Sequence, residues 1–193
     1  LAARLANVPA VVSAISGLGF VFVAKGLKAT IRRWLVGVLY GLALGHRNLR
    51  VIFQNPDDLS CLARFVHVSD RKVTMIRGSG VDLTQYRVKP LPTGAPVVVL
   101  ASRLLVDKGV REFVQSAKIL RQRGLSAQDA RFVIVGKPDL PNPTSLRPEE
   151  LAQWTEEGVV ELWGHRTDMP EVMEAAHVFV LPSYYGEGLP KVL

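Results

Sequence analysis

Short apolar segments that alternate with helical patterns are the feature that most constrains the fold of this chain. They predict strands at 8–15, 51–55, 73–77, 96–101, 131–136, 159–164 and 178–182. Most of these segments are apolar throughout rather than at every second residue, which is typical of strands covered on both faces of a parallel sheet. The alternation of such strands with helices predicts an α/β fold with doubly wound parallel sheets.

The helical segments carry apolar residues at helical spacing. In the helix predicted from about 28 to 44, one face contains Ile31, Trp34, Leu35, Val38, Leu39 and Leu42. We expect this face to pack on the sheet of its own domain. The alternative is that this basic segment rests on anionic lipid headgroups. Three further helices are expected: one capped by Asp57 or Asp58 and running through Val66, one ending at Gly124, and one capped by Thr167 or Asp168.

A segment without periodicity at 87–95 divides the chain. It contains two prolines and Gly94, which is typical of a linker. The charge changes at the same place, since residues 1–95 carry 13 Lys and Arg against 4 Asp and Glu, whereas residues 96–193 carry 11 against 13. We predict the carboxy-terminal part of one Rossmann-like domain at 1–86 and a second, incomplete one at 96–193. The chain is interpreted as a fragment cut at both ends.

The composition argues against several classes of function. A single cysteine, Cys61, cannot form an internal disulfide and favours a reducing compartment. The four histidines show no ligand spacing with one another or with Cys61, so no metal site is expected. The basic residues are not interleaved with stacking aromatics, which disfavours nucleic acid as a partner. The uncharged segment 8–24 contains Pro9 and Gly17, so a strand and loop are favoured over a membrane span.

Two cations follow the first predicted strand of the second domain. Arg103 follows the strand at 96–101, and Lys108 precedes the helix that begins near 110. Ligands of doubly wound sheets bind outside the carboxyl ends of the strands, so both cations are expected in one crevice. An Arg fork suits the paired oxygens of a phosphate, and a Lys adds a point charge. The alternative is that both side chains are solvated surface charges.

A glycine-rich loop follows the last predicted strand. Residues 183–191 read Ser-Tyr-Tyr-Gly-Glu-Gly-Leu-Pro-Lys, which places Glu187 between two glycines at the start of a predicted helix. The amides at a helix start carry about +0.5 of a charge and bind anions. With Arg103 and Lys108, this loop predicts a diphosphate site that needs no metal. Glu187 is expected to accept hydrogen bonds from hydroxyl groups.

Taken together, these segments resemble glycosyltransferase family 4. The resemblance rests on Arg103 with Lys108-Gly109, on Val-Glu-Leu-Trp-Gly164-His165, and on the Leu-Pro-Ser-Tyr-Tyr-Gly-Glu-Gly-Leu-Pro segment that ends at Pro190. It implies the GT-B fold, in which two Rossmann-like domains surround a cleft, and retaining, metal-independent sugar transfer. The front half is similar to the branch that builds lipid-carrier-linked surface polysaccharides.

The resemblance also implies a role for each matching residue. Arg103 and Lys108 would hold the diphosphate of the donor. Glu187, the assigned catalytic residue, would contact the hydroxyls of the transferred sugar. The other implied substrate-binding residues lie near the base or approach sugar and phosphate through the backbone: Gly164, His165, Gly188, Leu189 and Pro190.

The implied function is retaining transfer of a hexose in surface polysaccharide synthesis. The donor is a nucleoside-diphosphate sugar, expected to be UDP-linked, and the acceptor is a glycan or a polyprenyl-linked sugar. No cofactor besides the donor is expected, and an anionic membrane surface is a candidate partner. The expected location is the cytoplasm or the inner face of the plasma membrane, and the fragment alone is expected to be inactive. Two alternatives stay open: a GT-B sugar-nucleotide epimerase or phosphorylase, and a non-catalytic membrane-docking protein.

Overall fold

The chain folds into two α/β units, each built on its own parallel sheet. The structure is a computed structural model that describes residues 1–18, 26–78, 80–184 and 190. The first unit comprises Leu1–Gly80 and the second Val81–Tyr184. Every strand pair in both sheets is parallel, which confirms the expected fold class.

The first unit contains a three-stranded sheet in the order β1-β2-β3. Its elements are α1 (Ala2–Leu5), β1 (Val11–Ile15), α2 (Leu27–Leu44), β2 (Leu49–Phe53), α3 (Pro56–Ala63) and β3 (Val73–Met75). The first strand begins later than the predicted residue 8. Pro9 lacks an amide hydrogen for the ladder, and its carbonyl instead accepts a hydrogen bond from the Asn48 side chain at 3.2 Å.

The cap of helix α3 lies two or three residues before the predicted caps, so the assignment of Asp57 or Asp58 as the cap was wrong. The N-cap is Asn55, whose Oδ1 accepts a hydrogen bond from the Asp58 amide at 2.7 Å. Pro56 occupies the first helical position, where its missing amide hydrogen costs nothing and its fixed φ suits the helix. The preceding residue therefore becomes the cap. The helix ends at Ala63, before the predicted Val66.

The apolar face of α2 is exposed, contrary to the expectation that it packs on its own sheet. Its six residues at 31, 34, 35, 38, 39 and 42 have exposed fractions between 44% and 64%. The buried residues of this helix are instead Ala29, Gly37 and Leu44. A Cβ on Gly37 would lie 3.2 Å from the Cβ of Phe65, so the helix approaches its unit closely through its small residues. None of the helices in the described ranges is long and apolar enough to cross a membrane.

The second unit contains a four-stranded sheet in the order β6-β5-β4-β7. Apolar side chains cover both of its faces, with Phe113, Phe132 and Trp154 in one cluster and Val133 and Val172 in the other. Burial on both faces explains why these strands are continuous apolar runs. The elements are β4 (Val97–Ala101), α4 (Val110–Gln122), β5 (Arg131–Val135), α5 (Pro148–Glu156), β6 (Glu161–Gly164), α6 (Met169–Glu174) and β7 (Val178–Phe179).

The proline-containing segment at 87–95 is tied to the second unit by side-chain contacts. Lys89 forms an ion pair of 2.7 Å with Glu174 of α6. His177 Nδ1 accepts a hydrogen bond from the Val97 amide at 3.1 Å, and His177 Nε2 lies 3.0 Å from the Pro92 carbonyl. Because Nδ1 is the acceptor, Nε2 carries the hydrogen and donates it to Pro92. This neutral imidazole therefore fastens the segment to the start of the second sheet.

Candidate functional site

The carboxyl ends of four parallel strands form one edge of the second unit. Because all its strands run in the same direction, the loops that follow β4, β5, β6 and β7 meet at that edge. Arg103 and Lys108 lie in the loop after β4, and Gly164 and His165 lie at the end of β6. These four predicted residues therefore lie at the same edge, in two loops that are separated by the loop after β5.

The loop after β5 is bonded directly to the loop after β4 on one side and to the end of β6 on the other. The Ser102 amide donates to the Val135 carbonyl at 3.0 Å, and the Gly136 amide donates to the Gly164 carbonyl at 2.8 Å. A Cβ on Gly136, whose φ is +147°, would lie 3.2 Å from the carbonyl carbon of Ser102 and closer still to its oxygen. Only glycine allows the two backbones to approach so closely. The loop that carries Arg103 is thus fixed against the next one.

The loop after β7 packs on the turn that carries Lys108. Gly109 follows Lys108 with a φ of +71°, and a Cβ there would lie 2.7 Å from the carbonyl carbon of Pro182. The Tyr184 hydroxyl donates to the Val106 carbonyl at 3.0 Å. Partial desolvation, helped by the charge of Glu112, raises the pKa of the Tyr184 phenol and keeps it a donor. The segment that leads to residue 185 therefore starts beside the lysine turn.

The buried carboxylate of Asp107 anchors the loop that carries Arg103 and Lys108. Asp107 is only 7% exposed, and its Oδ1 lies 3.0 Å from the Thr144 hydroxyl. The same hydroxyl lies 2.9 Å from Asn142 Oδ1. Asn142 Oδ1 already accepts from the Thr144 amide at 3.0 Å. The Thr144 hydroxyl has a single hydrogen to donate. When it donates this hydrogen to Asp107 Oδ1, both acceptors are satisfied, because Asn142 Oδ1 already has the Thr144 amide as its donor. The residue next to Lys108 is therefore anchored to the loop after β5.

Arg103 has a carboxylate partner that the sequence did not reveal. Its Nη1 lies 3.3 Å from Oδ2 of Asp139, and the Arg103 side chain is 64% exposed. Charge-assisted hydrogen bonds are usually shorter, about 2.7–2.9 Å, so this contact is a weak one. The Asp139 amide donates to the Ser145 hydroxyl at 3.0 Å, which fixes the acid in its loop. The only sequence signal was an acid shortly after a strand that ends at the same edge.

The turn after β6 is exposed and is followed by an ion pair. Gly164 adopts a φ of +68°, and both it and His165 are exposed. Arg166 binds the Asp168 carboxylate with two nitrogens, of which Nε lies 2.7 Å from Oδ1. The prediction of Asp168 as the N-cap residue of α6 is confirmed, but its side chain makes no capping hydrogen bond because the guanidinium of Arg166 takes the carboxylate.

The remaining predicted residues are mostly beyond what the structure describes. Glu187, Gly188 and Leu189 lie outside the described residues. Pro190 is described and half-buried. Within the described ranges, no group of three or more His, Cys, Asp or Glu side chains could hold a metal ion. The arrangement at the edge offers an Arg and a Lys on a loop that the loops after β5 and β7 hold in place, which suits the binding of an anion such as a diphosphate.

Comparison with known proteins identifies the relatives of the chain. It is 30% identical to the N,N'-diacetylbacillosaminyl-diphospho-undecaprenol alpha-1,3-N-acetylgalactosaminyltransferase of Campylobacter jejuni, over 98% of this chain and 50% of that enzyme. It is 28% identical to the UDP-Gal:alpha-D-GlcNAc-diphosphoundecaprenol alpha-1,3-galactosyltransferase of Escherichia coli, over 98% of this chain and 49% of that enzyme. The chain therefore spans about half the length of these curated relatives.

Solved structures show the same fold at lower identity. Anabaena HepE in complex with UDP aligns with a TM-score of 0.67 at 18% identity, covering 96% of this chain and 50% of HepE. The lipopolysaccharide glycosyltransferase WaaG aligns with a TM-score of 0.66 at 13% identity, covering 95% of this chain and 55% of WaaG. The family of group 1 glycosyl transferases matches residues 95–193. The chain thus belongs to the group 1 glycosyltransferases, family 4, with the GT-B fold.

Proposed function

We propose that the protein is a retaining hexosyltransferase that uses a nucleoside-diphosphate sugar, with UDP as the expected nucleotide, and a polyprenyl-linked acceptor. The names of both curated relatives specify diphospho-undecaprenol-linked sugars, and the HepE structure was obtained with UDP. The observation that carries the proposal is the position of Arg103 and Lys108. Both stand in one loop at the carboxyl edge of the sheet, bonded to the loops after β5 and β7.

The chemistry requires positive charge where the leaving group departs. When the bond between the sugar carbon and the diphosphate breaks, the carbon develops oxocarbenium character and negative charge accumulates on the diphosphate oxygen. In this proposal the guanidinium of Arg103 and the ammonium of Lys108 stabilise that charge without a metal ion. Donor binding would exchange the weak contact of Arg103 with Asp139 for a contact with phosphate oxygens.

The remaining roles rest on the family resemblance. We assign Glu187 to the hydroxyls of the transferred sugar, with the backbone at Gly188 and Leu189 approaching the sugar and phosphate, as does Pro190. The turn at 164–165 is assigned to the nucleotide base. No cofactor other than the donor enters this scheme.

The proposed acceptor also places the enzyme. A sugar on a polyprenyl carrier is held at a membrane, and nucleotide sugars are soluble, so we place the protein in the cytoplasm with peripheral contact to the inner face of the plasma membrane.

Because the chain spans about half the length of its relatives, we propose that residues 1–193 alone are inactive, and transfer is to be measured on the full-length protein.

The test replaces both cations. In the full-length protein, Arg103→Ala with Lys108→Ala should lower transfer by at least about 100-fold, since removing a single preorganised donor to a developing anion costs 10²–10³. Lys118→Ala is the matched control. Lys118 lies in the middle of α4, where its ammonium pairs with Glu157 at the end of α5 at 2.7 Å, so its removal also takes away one cation but not one from the loop after β4. Normal turnover in the double variant would refute the assignment.

Glu187→Gln should weaken sugar recognition, and unchanged turnover and donor selectivity would remove that role.

The same assay separates the rival reactions. A transferase releases the nucleotide from the donor at a high rate only when the acceptor is present. A sugar-nucleotide epimerase would change the donor without any acceptor, and a phosphorylase would need inorganic phosphate. Binding to vesicles without any binding of a nucleotide sugar would favour the non-catalytic membrane-docking alternative.

A further inference from the structure

The turn that carries Lys108 also contains a buried acid. Val106–Lys108 is a single 3₁₀ turn, in which Asp107 is 7% exposed and Lys108 is half-buried. Adjacent Cα atoms are only about 3.8 Å apart, so a contact that fixes the backbone at Asp107 also fixes the point from which the lysine side chain starts. A buried carboxylate is unfavourable unless hydrogen bonds compensate for the water that it has lost. The partners of Asp107 therefore bear on the position of Lys108.

Thr144, in the loop after β5, is the side-chain partner of this acid. Its hydroxyl donates to Asp107 Oδ1 at 3.0 Å, and its backbone carbonyl accepts from the Val106 amide at 2.8 Å. One residue thus holds the turn at two successive positions. From the loop after β7, the Tyr184 amide donates to the Asp107 carbonyl at 3.4 Å. Asp107 therefore connects the lysine turn to the loops on both sides.

The loop after β5 holds the Thr144 hydroxyl in a fixed place. Asn142 Oδ1 accepts from the Thr144 amide at 3.0 Å, and Pro143 between these two residues has a fixed φ. Two residues further on, the Leu146 amide donates to the Leu104 carbonyl at 2.9 Å. A side chain on a backbone that is already ordered loses little further conformational entropy when it forms a hydrogen bond. The loop therefore presents the hydroxyl to Asp107 in a preorganised position.

We propose that Thr144 and Asp107 are positioning residues for Lys108. The hydroxyl holds the acid, and the acid holds the turn from which the ammonium group reaches the leaving diphosphate. This inference rests on the proposed function, in which Lys108 stabilises that leaving group. A misplacement of about 1 Å at a reacting centre can cost roughly 100-fold in rate. One hydroxyl that acts only through Lys108 is therefore enough to lower both binding and turnover.

The test removes this hydroxyl and keeps the shape of the side chain. In the full-length protein, Thr144→Val should weaken binding by about tenfold, because the buried carboxylate loses its donor and the turn shifts. Binding is measured by calorimetry with UDP and with pyrophosphate, which carries the diphosphate group without the base. Thr144→Ser keeps the hydroxyl and should restore most of the binding. The rate of transfer should follow the same order.

Thr155→Val is the matched control for the loss of a threonine hydroxyl. The Thr155 hydroxyl also donates a hydrogen bond, at 3.1 Å to the Leu151 carbonyl, but it does so within α5 and not at the lysine turn. Binding of both probes should stay within about twofold of the unaltered protein. A loss equal to that of Thr144→Val would mean that any such substitution in the second unit disturbs the site, and it would overturn the proposal.

A double-mutant cycle separates positioning from a general loss of structure. If Thr144 acts through Lys108, Thr144→Val should weaken binding no further in a Lys108→Ala background. Asp107→Ala should likewise weaken binding alone and add nothing in that background. Melting followed by circular dichroism verifies that each variant is folded. Should Asp107→Ala fail to fold, the cycle still stands on Thr144→Val.

The outcomes distinguish this proposal from the proposed function. If neither probe binds the unaltered protein, or if Lys108→Ala leaves binding unchanged, Lys108 holds no diphosphate and both proposals fail. If Lys108→Ala weakens binding and Thr144→Val does not, only the positioning role is overturned. Equal losses for Thr144→Val in the two backgrounds also overturn it, because the hydroxyl then acts on the fold in general and not through Lys108.

Discussion

Replacement of Gly109 by alanine should loosen the contact between the lysine turn and the loop after β7. Gly109 adopts a φ of +71°, and a Cβ there would lie 2.7 Å from the carbonyl carbon and 2.8 Å from the Cβ of Pro182. Two separate costs follow from these numbers. The left-handed backbone costs an L-residue about 1–2 kcal/mol, and forcing extra volume into a packed contact costs about 1–3 kcal/mol more. We expect Gly109→Ala to lower the free energy of unfolding by about 2–5 kcal/mol.

Gly158 provides the matched control for this prediction. Its φ is +67°, nearly the same as that of Gly109, but nothing lies within 4 Å of the Cβ position. Gly158→Ala should therefore cost only the backbone term, about 1–2 kcal/mol. The difference between the two variants isolates the close approach of the two loops. It should appear as a lower urea midpoint for Gly109→Ala when the fluorescence of Trp154, in the core of the same unit, is followed.

A second measurement connects this packing to the site. In the full-length protein, Gly109→Ala should weaken binding of the nucleoside diphosphate because Lys108 precedes the strained residue, while Gly158→Ala should leave binding unchanged. Equal destabilisation by the two alanines would refute the argument, since it would mean that Pro182 does not approach Gly109. Equal destabilisation with a selective loss of binding would leave a role for the turn but remove its steric explanation.

Two further predictions concern ion pairs. Asp139→Asn should tighten binding of the nucleoside diphosphate by about two- to fivefold, because a partly exposed carboxylate no longer competes for Arg103. Calorimetry should show no such gain when the same change is made in an Arg103→Ala background. Weaker binding would mean that Asp139 positions Arg103 instead. Arg131 holds the pKa of Glu161 below its usual value of 4.5, so the pair stabilises the fold above about pH 4.5 and this contribution is lost as the pH falls through the lowered value. Glu161→Gln should therefore show a smaller loss of melting temperature on acidification than the unaltered protein, and parallel curves would contradict the assignment.

The order of the elements and the edge that carries the site follow from the sequence because each depends on local patterns. A strand covered on both faces must be apolar throughout, and β4 and β5 are buried at three and four of their five positions, with the rest half-buried. Once the strands are parallel, the residues that follow them share an edge, and this places Arg103 and Gly164 at the same edge of the sheet. The ends of the strands are less predictable. Thus β7 stops at Phe179, although the Val180 amide still donates to the Val99 carbonyl at 2.8 Å.

The contacts that connect the loops did not follow from the sequence. The bond between Thr144 and the buried Asp107, and the pair of Arg103 with Asp139, each join residues more than thirty positions apart. Whether such groups meet depends on the order and stagger of the strands, which side-chain periodicity does not encode. The sequence alone therefore does not tell whether an acid in one of these loops is buried as a structural anchor or pairs with a cation of the site. Here Asp107 is buried as an anchor, whereas Asp139 reaches the exposed guanidinium.

Helix α2 shows where periodicity fails as a guide to packing. A repeat at 3.6 residues identifies an apolar face, but it does not say which side of the helix meets the sheet when the opposite side is also poor in charge. Here Ala29 and Gly37 let the backbone approach its unit closely, and the large side chains, Trp34 among them, are left outside. Exposure of so many large apolar groups to water is unfavourable. The packing prediction failed because the helix is apolar on two sides, and the described part of its own unit covers only one of them.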